Sequence, residues 1–437
     1  MLKIFLWLRY LSKRRMVLLS VAAVALSCAL LIVVASLFSG FINTFERSSA
    51  EALGDIVIAP QEKIENYQEL TRELEGLKSV EAATGTLSAQ GLLHIGRGNV
   101  RAVEISGIDL QKEGRVTAFE KSLLKGKTEK DSDPFSVGYV GIGVLSEPNE
   151  KTDEYDFNAV EQMIGQTAVL STGSIVNEQD GSGRFRRRTI QFTIADVVFT
   201  GVYYLDKRIV YLPIERVQEA MYPEAKQPIA GQVHIKLQSS VETEVALAQI
   251  RGVWGTFASQ RLGWEPYQIE QTRIETARQM QARYVAEIRK QMGVLLLIFG
   301  VVSLSAVLLV FCIFYMIVET RRKDVAIMKS CGAGSASVAT IFIGFGGFIG
   351  TTGAAIGTAL GYIITKNINA IEGWIRVIFG LKLWKASVYM FSRIPSEVDW
   401  PAVVWIVLSA IAGAAIGAGF PAISAAMTRP VNVLRYE

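Results

Sequence analysis

Very few residues in this 437-residue chain have the type and spacing that chemistry requires. Gly126-Lys127-Thr128 ends like a loop that wraps phosphates in backbone N–H groups, but such a loop opens with a glycine at the position held here by Lys121. His94 and His234 stand far apart without a cysteine or acidic cluster, so they read as ordinary strand residues rather than metal ligands. Cys28 and Cys312 fall in long apolar runs and Cys331 in a short basic turn, which leaves nothing for a disulfide framework. The sequence therefore predicts no catalytic residue, no metal and no cofactor in this chain. A formal net charge of +4 gives no general attraction to nucleic acid either.

One stretch has the pattern for transmitting force: Glu319–Gly334, reading ETRRKDVAIMKSCGAG. Asp324 predicts a cap for a helix beginning at Val325, because its carboxylate accepts the N–H groups left free in a first turn. Val325 and Met328 then share a face at i, i+3 spacing, with Ile327 beside them and Lys329 following. Gly332 and Gly334 end the turn, since glycine takes left-handed conformations without steric cost. Two readings stand: an amphipathic connector, or an exposed apolar helix that seats on a cytosolic motor.

The elements that would position this turn are apolar. Half of the chain is hydrophobic, and residues 16–45, 291–318, 330–365 and 401–428 contain no Asp, Glu, Lys or Arg. Each run exceeds the roughly 20 apolar residues a bilayer-spanning helix needs. The expected fold is an α-helical membrane protein with four transmembrane helices and a large α+β extracytoplasmic domain inserted between helices 1 and 2. Residues 1–15 form an amphipathic helix whose Lys3, Arg9, Lys13, Arg14 and Arg15 hold it in the cytoplasm by the positive-inside rule. Residues 16–45 are the first span and its stalk, 46–270 the domain, and 271–318 a second stalk and span. Residues 319–337 are the turn, 338–365 the third span, 366–400 an outer loop, 401–425 the fourth span and 426–437 a cytoplasmic tail.

Within the domain, strands at Asp55–Ala59, Val100–Ile108 and Thr189–Val198 alternate with helices at Glu65–Leu77, Phe157–Ile164 and Val241–Ser259, predicting two lobes. Apolar residues at Ile274, Ala277, Met280, Tyr284 and Ile288 predict one helix from Ile269 into the second span. Thr172–Arg188, TGSIVNEQDGSGRFRRR, has turn residues at its centre and reads as a protruding hairpin with Ile175 and Val176 near the tip. Phe38, Phe41 and Phe45 share a helix face at the far end of the first span, suited to packing or to acyl chains. Gly346, Gly350, Gly353, Gly357 and Gly361 in the third run, and Gly413 and Gly417 in the fourth, predict close helix packing, with the third span expected against the second and fourth.

RRKDVAIMKSCGAG and the closing segment PAISAAMTRPVNVLRYE (Pro421–Glu437) resemble the four-span ABC permeases, which include the lipoprotein-releasing, macrolide-exporter and FtsX-like permeases. Ile105–Asp109, Phe192–Met221 and Phe391–Trp400 resemble the lipoprotein-releasing branch. The resemblance implies a permease subunit in a bacterial inner membrane, both termini cytoplasmic, that passes ATP-driven motion to the periplasm and releases lipoproteins. ATP and Mg²⁺ would be bound by a separate cytosolic ABC ATPase, whose groove takes the turn from Asp324 to Gly334, and a second permease, identical or homologous, would complete the complex. In one of the two lipoprotein-releasing permeases a hairpin placed like that of Ile175 and Val176 recruits a periplasmic lipoprotein carrier. That hairpin bears a proline and this one has none, so a solvated loop stays open as the other reading. Export of a small amphiphile through an outer-membrane duct, and activation of an extracytoplasmic enzyme, are the family's alternatives.

Overall fold

The computed structural model describes residues 15–95, 98–126, 136–149, 155–177, 183–239, 241–320, 322–380, 382–386 and 391–427. The expected amphipathic helix lies outside them except for Arg15, and so does the tail from residue 428 onward. The chain divides into two compact units, one of residues 1–43, 284–371 and 394–437, the other of residues 44–283 and 372–393.

The described residues of the second unit form eleven strands: β1 (Ile56–Ala59), β2 (Ile64–Glu65), β3 (Val80–Ile95), β4 (Asn99–Ile108), β5 (Val137–Gly141), β6 (Thr167–Asn177), β7 (Gly183–Val198), β8 (Ile209–Pro213), β9 (Ile229–Ala230), β10 (Gln232–Leu237) and β11 (Arg273–Thr276). Nine of them form one sheet in the order β11-β1-β10-β3-β4-β8-β5-β7-β6, parallel at β4–β8 and β5–β7 and otherwise antiparallel. The long β3 pairs with β10 in its first half and with both β4 and β6 in its second, so the sheet folds back on itself. Helices Tyr67–Glu75, Ile214–Met221 and Thr243–Gln260 cover it. Leu70, Leu74, Val217, Trp254 and Phe257 share one core with Ile56, Ile58, Leu87 and Leu93 of the strands. The expected two lobes are thus one sheet and one principal core, because β3, 16 residues long, joins β10 on one side to β4 and β6 on the other.

The helix expected from Ile269 begins only at Ala277. Arg273–Thr276 is a strand, paired with β1 from Ile56↔Thr276 to Ala59↔Arg273, with Ile274 turned into the core. A short helix, Pro266–Glu270, precedes it, so the helical spacing read from the sequence spans three separate elements. The first long helix likewise runs on to Leu53, past the expected limit at 45, and ends at Gly54, whose φ of +76° favours glycine. Asp55 then ties three strands together: its carbonyl accepts the Ala277 N–H at 3.1 Å, and its carboxylate takes the Lys236 ammonium and the Leu237 N–H at 3.1 and 2.9 Å. The two long helices therefore join the sheet at adjacent, hydrogen-bonded strands.

One buried acid in this unit makes its stability depend on pH. Glu113 is 3% exposed; one carboxylate oxygen accepts the Thr117 hydroxyl at 3.1 Å and the other has no partner. Burial pushes its pKa from 4.5 up to about 7, against the Thr117 bond and helped by the charge of Asp109. An acid whose folded pKa exceeds its unfolded value contributes stability below the unfolded value and loses it as pH rises through the folded one. Glu113→Gln is expected to stabilise the unit at pH 8 by up to about 3 kcal/mol, because each tenfold difference in proton affinity between the folded and unfolded carboxyl is worth about 1.36 kcal/mol. At pH 4.5 the same substitution is expected to change little. Thermal midpoints at the two pH values check it, and an equal change at both would show that hydrogen bonding rather than charge governs the site.

The first unit contains the apolar parts of four helices long and apolar enough to cross a membrane: Arg15–Leu53, Ala277–Thr320, Ser335–Lys366 and Trp400–Met427, the first to fourth spans. The third and fourth extend slightly beyond the expected 338–365 and 401–425. Glycine sets their approach, as lipid offers no hydrophobic drive for association and close backbone contact must supply it. A Cβ on Gly350 would stand 2.9 Å from the Ile411 Cα of the fourth span, and one on Gly346 would collide with Ala418. On Gly353 and Gly357 it would stand 2.8 Å from Val24 Cβ and 2.6 Å from the Ala25 carbonyl oxygen of the first span. The glycine stripe of the third span thus packs on the fourth and first spans, whereas the second, expected beside the fourth, is met by the third through aromatic side chains, with the Phe314 and Phe345 ring centroids 5.5 Å apart. The fourth also meets the second: a Cβ on Gly417 would lie 2.8 Å from the Val307 carbonyl. Val294, Leu297, Val301, Leu304 and Leu308 of the second span stay exposed.

Candidate functional site: the connector between the second and third spans

The turn singled out in the sequence contains a helix at Arg322–Ser330, three residues earlier than expected. Asp324 is therefore inside the first turn and is not the cap, although its charge still suits the positive end of the helix. The C-terminus closes as predicted: Gly332 has φ +94°, and the Ala333 N–H reaches back to the Met328 carbonyl at 3.1 Å. Gly334 lies just before the third span.

Which face of this helix is free differs from the sequence reading. Val325 and Ala326 are fully buried, and Met328 packs beside them against Val310, Phe314 and Ile317 of the second span, Val338 and Phe342 of the third and Ala422 of the fourth. The Lys329 ammonium donates to the Ala426 carbonyl of the fourth span at 2.6 Å. Of the expected docking pair, Val325 is thus buried in the chain's own core and Met328 is half-buried against it. Burying valine stabilises by roughly 1.5–3 kcal/mol, which anchors the connector to these spans. Ile327, at 53% exposed, is the apolar side chain turned outward, with exposed Lys323 and Ser330 on the same side at i−4 and i+3. Helix periodicity alone shows that Ile327 opposes Val325 but not which of the two faces inward.

The other predicted contact residues fare unevenly. Phe38 and Phe41 are half-buried, while Phe45 is buried in its own chain and presents no free face. None of the three lines the cavity of about 230 Å³ between the first, second and fourth spans, where the Ser27 and Ser303 hydroxyls meet at 2.7 Å. The hairpin is present as β6 paired with β7 out to Asn177↔Gly183. Its tip, residues 178–182, and the side chains of Ile175 and Val176 lie outside the described residues.

At the root of that hairpin is a concavity of about 990 Å³ that sequence reasoning missed. His94 and Arg187 both bond the Ser171 hydroxyl, at 3.2 and 3.0 Å, and the Arg208 guanidinium lies 5.1 Å from the Tyr204 ring centroid. The pairing of β3 with β6 brings His94 to Ser171 and that of β6 with β7 brings Arg187, and no local motif announces either. His234, by contrast, is buried in β10, and burial pulls its pKa down to about 4. No group of three His, Cys, Asp or Glu residues suited to a metal occurs among the described residues.

Four helices long and apolar enough to cross a membrane, with a folded α+β domain between the first and second, fit a membrane protein with a large extramembrane domain. Comparison with known proteins specifies which kind. Residues 17–253, over half of the chain, match the model of the MacB-like periplasmic core domain, and residues 296–431 match the FtsX-like permease C-terminal model. The chain belongs to this family of ABC permeases with a periplasmic domain. It is 26% identical to the lipoprotein-releasing system transmembrane protein LolC of Neisseria meningitidis, over 100% of this chain and 99% of that protein. It is 24% identical to the lipoprotein-releasing system transmembrane protein LolE of Haemophilus influenzae, over 95% and 93%. The periplasmic region of MacB from Actinobacillus actinomycetemcomitans aligns with 54% of this chain and 95% of its own, at 16% identity and a TM-score of 0.34.

Proposed function

We propose that this chain is the permease subunit of an ABC complex that releases lipoproteins from a bacterial inner membrane. In this reading the termini and connector face the cytoplasm, an ABC ATPase binding ATP and Mg²⁺ seats on the connector, and a second permease pairs along the exposed second span. The observation that carries the mechanical part is connectivity. The connector is buried against the second span, and that helix continues to Ala277, where it is bonded to the strand that follows the first helix. A push at Ile327 is thereby passed along one helix to the domain. The full-length similarity to LolC and LolE supports lipoprotein as the substrate.

The test is ATP-driven release of a fluorescent acylated lipoprotein from vesicles holding this chain and its co-expressed ATPase. ATP is expected to move the lipoprotein into the soluble fraction when a carrier is present. If Ile175 and Val176 contact the carrier, removing Ser174–Gly183 is expected to abolish hand-over and leave ATP hydrolysis near normal, whereas unchanged release would make the stretch a solvated loop. The match to a MacB-like domain favours a second reading, export of a small amphiphile. Lipoprotein retained in the vesicles while a small amphiphile stimulates hydrolysis would select it.

A further inference from the structure

The stretch expected to be a plain loop between the third and fourth spans contains a twelve-residue helix, Ile368–Phe379, that is turned the opposite way from a soluble amphipathic helix. Ile371, Trp374, Ile375 and Ile378 fall on one face at helical spacing, and Asn369, Glu372 and Arg376 on the other. The polar face is the tied one: the Asn369 amide donates to the Ile394 carbonyl at 3.1 Å and accepts its N–H at 2.9 Å. The apolar side stands open, with Trp374 73%, Ile378 70% and Phe379 68% exposed, and Leu383 continues the surface. Large apolar side chains exposed side by side form the kind of patch that marks a contact surface.

Charge identifies what covers it. Residues 366–393 hold five basic residues, Lys366, Arg376, Lys382, Lys385 and Arg393, against Glu372 alone. Lysine is depleted from the centres of protein interfaces. Basic residues beside an apolar face, with a tryptophan, are instead the pattern of a helix lying in a lipid headgroup layer. The helix is also separated from the end of the third span by a single residue, Asn367, so its first turn starts where that span leaves the bilayer.

We propose that Ile368–Phe379 lies in the headgroup layer of the leaflet on the domain's side, its apolar face in the lipid and Lys382 and Lys385, just past its end, on anionic headgroup phosphates. This rests on the four-crossing reading, in which three crossings place the helix on that side. It explains basic residues on a side where the positive-inside rule does not call for them. The helix holds the outer ends of the third and fourth spans at a fixed depth.

The test uses the full chain with its native cysteines replaced by alanine, reconstituted in vesicles, with an environment-sensitive fluorophore on one introduced cysteine. Ile378→Cys samples the apolar face, Gly373→Cys the opposite side, where a Cβ meets nothing within 4 Å, and Val301→Cys the exposed side of the second span. Lipids carrying a quencher just below the headgroup are expected to quench at 378 several-fold more than at 373. With phosphatidylglycerol in the vesicles, Lys382→Glu with Lys385→Glu is expected to lower that quenching to the level of phosphatidylcholine vesicles. A 378 label reached by aqueous iodide as readily as 373 would overturn the proposal. So would one shielded from both quenchers, which would mean that a protein covers the face. Unchanged quenching in the charge variant would overturn the anionic part. Access of aqueous iodide to a label at 301 would instead refute the four-crossing reading itself.

Discussion

Gly357→Leu is expected to prevent the membrane unit from assembling, whereas Gly347→Leu, ten residues away on the same helix, is expected to be tolerated. A Cβ on Gly357 would lie 2.6 Å from the Ala25 carbonyl oxygen and 2.8 Å from the Cys28 Cβ. Neither is the end of a flexible side chain, so the first span must move away to admit it. At Gly347 no atom lies within 4 Å of the same Cβ. Overpacking of this kind costs about 1–3 kcal/mol when the neighbours can shift. Against backbone the upper end applies, on the order of a 100-fold fall in folded population. The yield of monodisperse protein in detergent, with the thermal midpoint of what survives, measures both variants side by side. Equal behaviour of the two would mean that the first and third spans do not depend on this contact.

That contrast shows how far the residues could be read in advance. The four spans were legible because excluding charge over some 28 residues or more has few other physical explanations. That the glycines mediate packing was legible too, since a spacing near four places them on one helix face. Their partners were not. Gly353, Gly357 and Gly361 face the first span while Gly346 and Gly350, on the same stripe, face the fourth, and nothing in the period distinguishes them. The strand β11 was hidden because Ile274 fits a helical and an alternating pattern equally well, and pairing with β1, more than 200 residues away, decides between them. The helix at Ile368–Phe379 is masked in the sequence because basic residues at 366, 376, 382 and 385 look like loop charge rather than the rim of an apolar face. In each case the missing information was the identity of a distant partner.

The connector carries the second large effect, and the structure changes which residue should be altered. Ile327→Asp is expected to leave the chain folded in the membrane and to abolish retention of the ATPase. Ile327 is 53% exposed and outside the buried cluster, so a carboxylate there stays in water in the free chain, where surface changes usually fall within about 0.5 kcal/mol. Once an ATPase is seated, the same carboxylate loses its water without a partner, an error of about 3–5 kcal/mol. At 1.4 kcal/mol per tenfold, that weakens binding by at least about 100-fold. Val325→Asp or Met328→Asp would not separate these effects, because Val325 belongs to the core that joins the connector to the spans and Met328 packs against it. Ile327→Leu keeps the apolar contact and serves as the control, with co-purified ATPase and ATP-dependent release as the paired measurements. If the aspartate variant retains ATPase at the wild-type yield, the motor seats elsewhere, and the Arg322–Ser330 helix is a structural connector whose outward isoleucine has no partner in the cytosol.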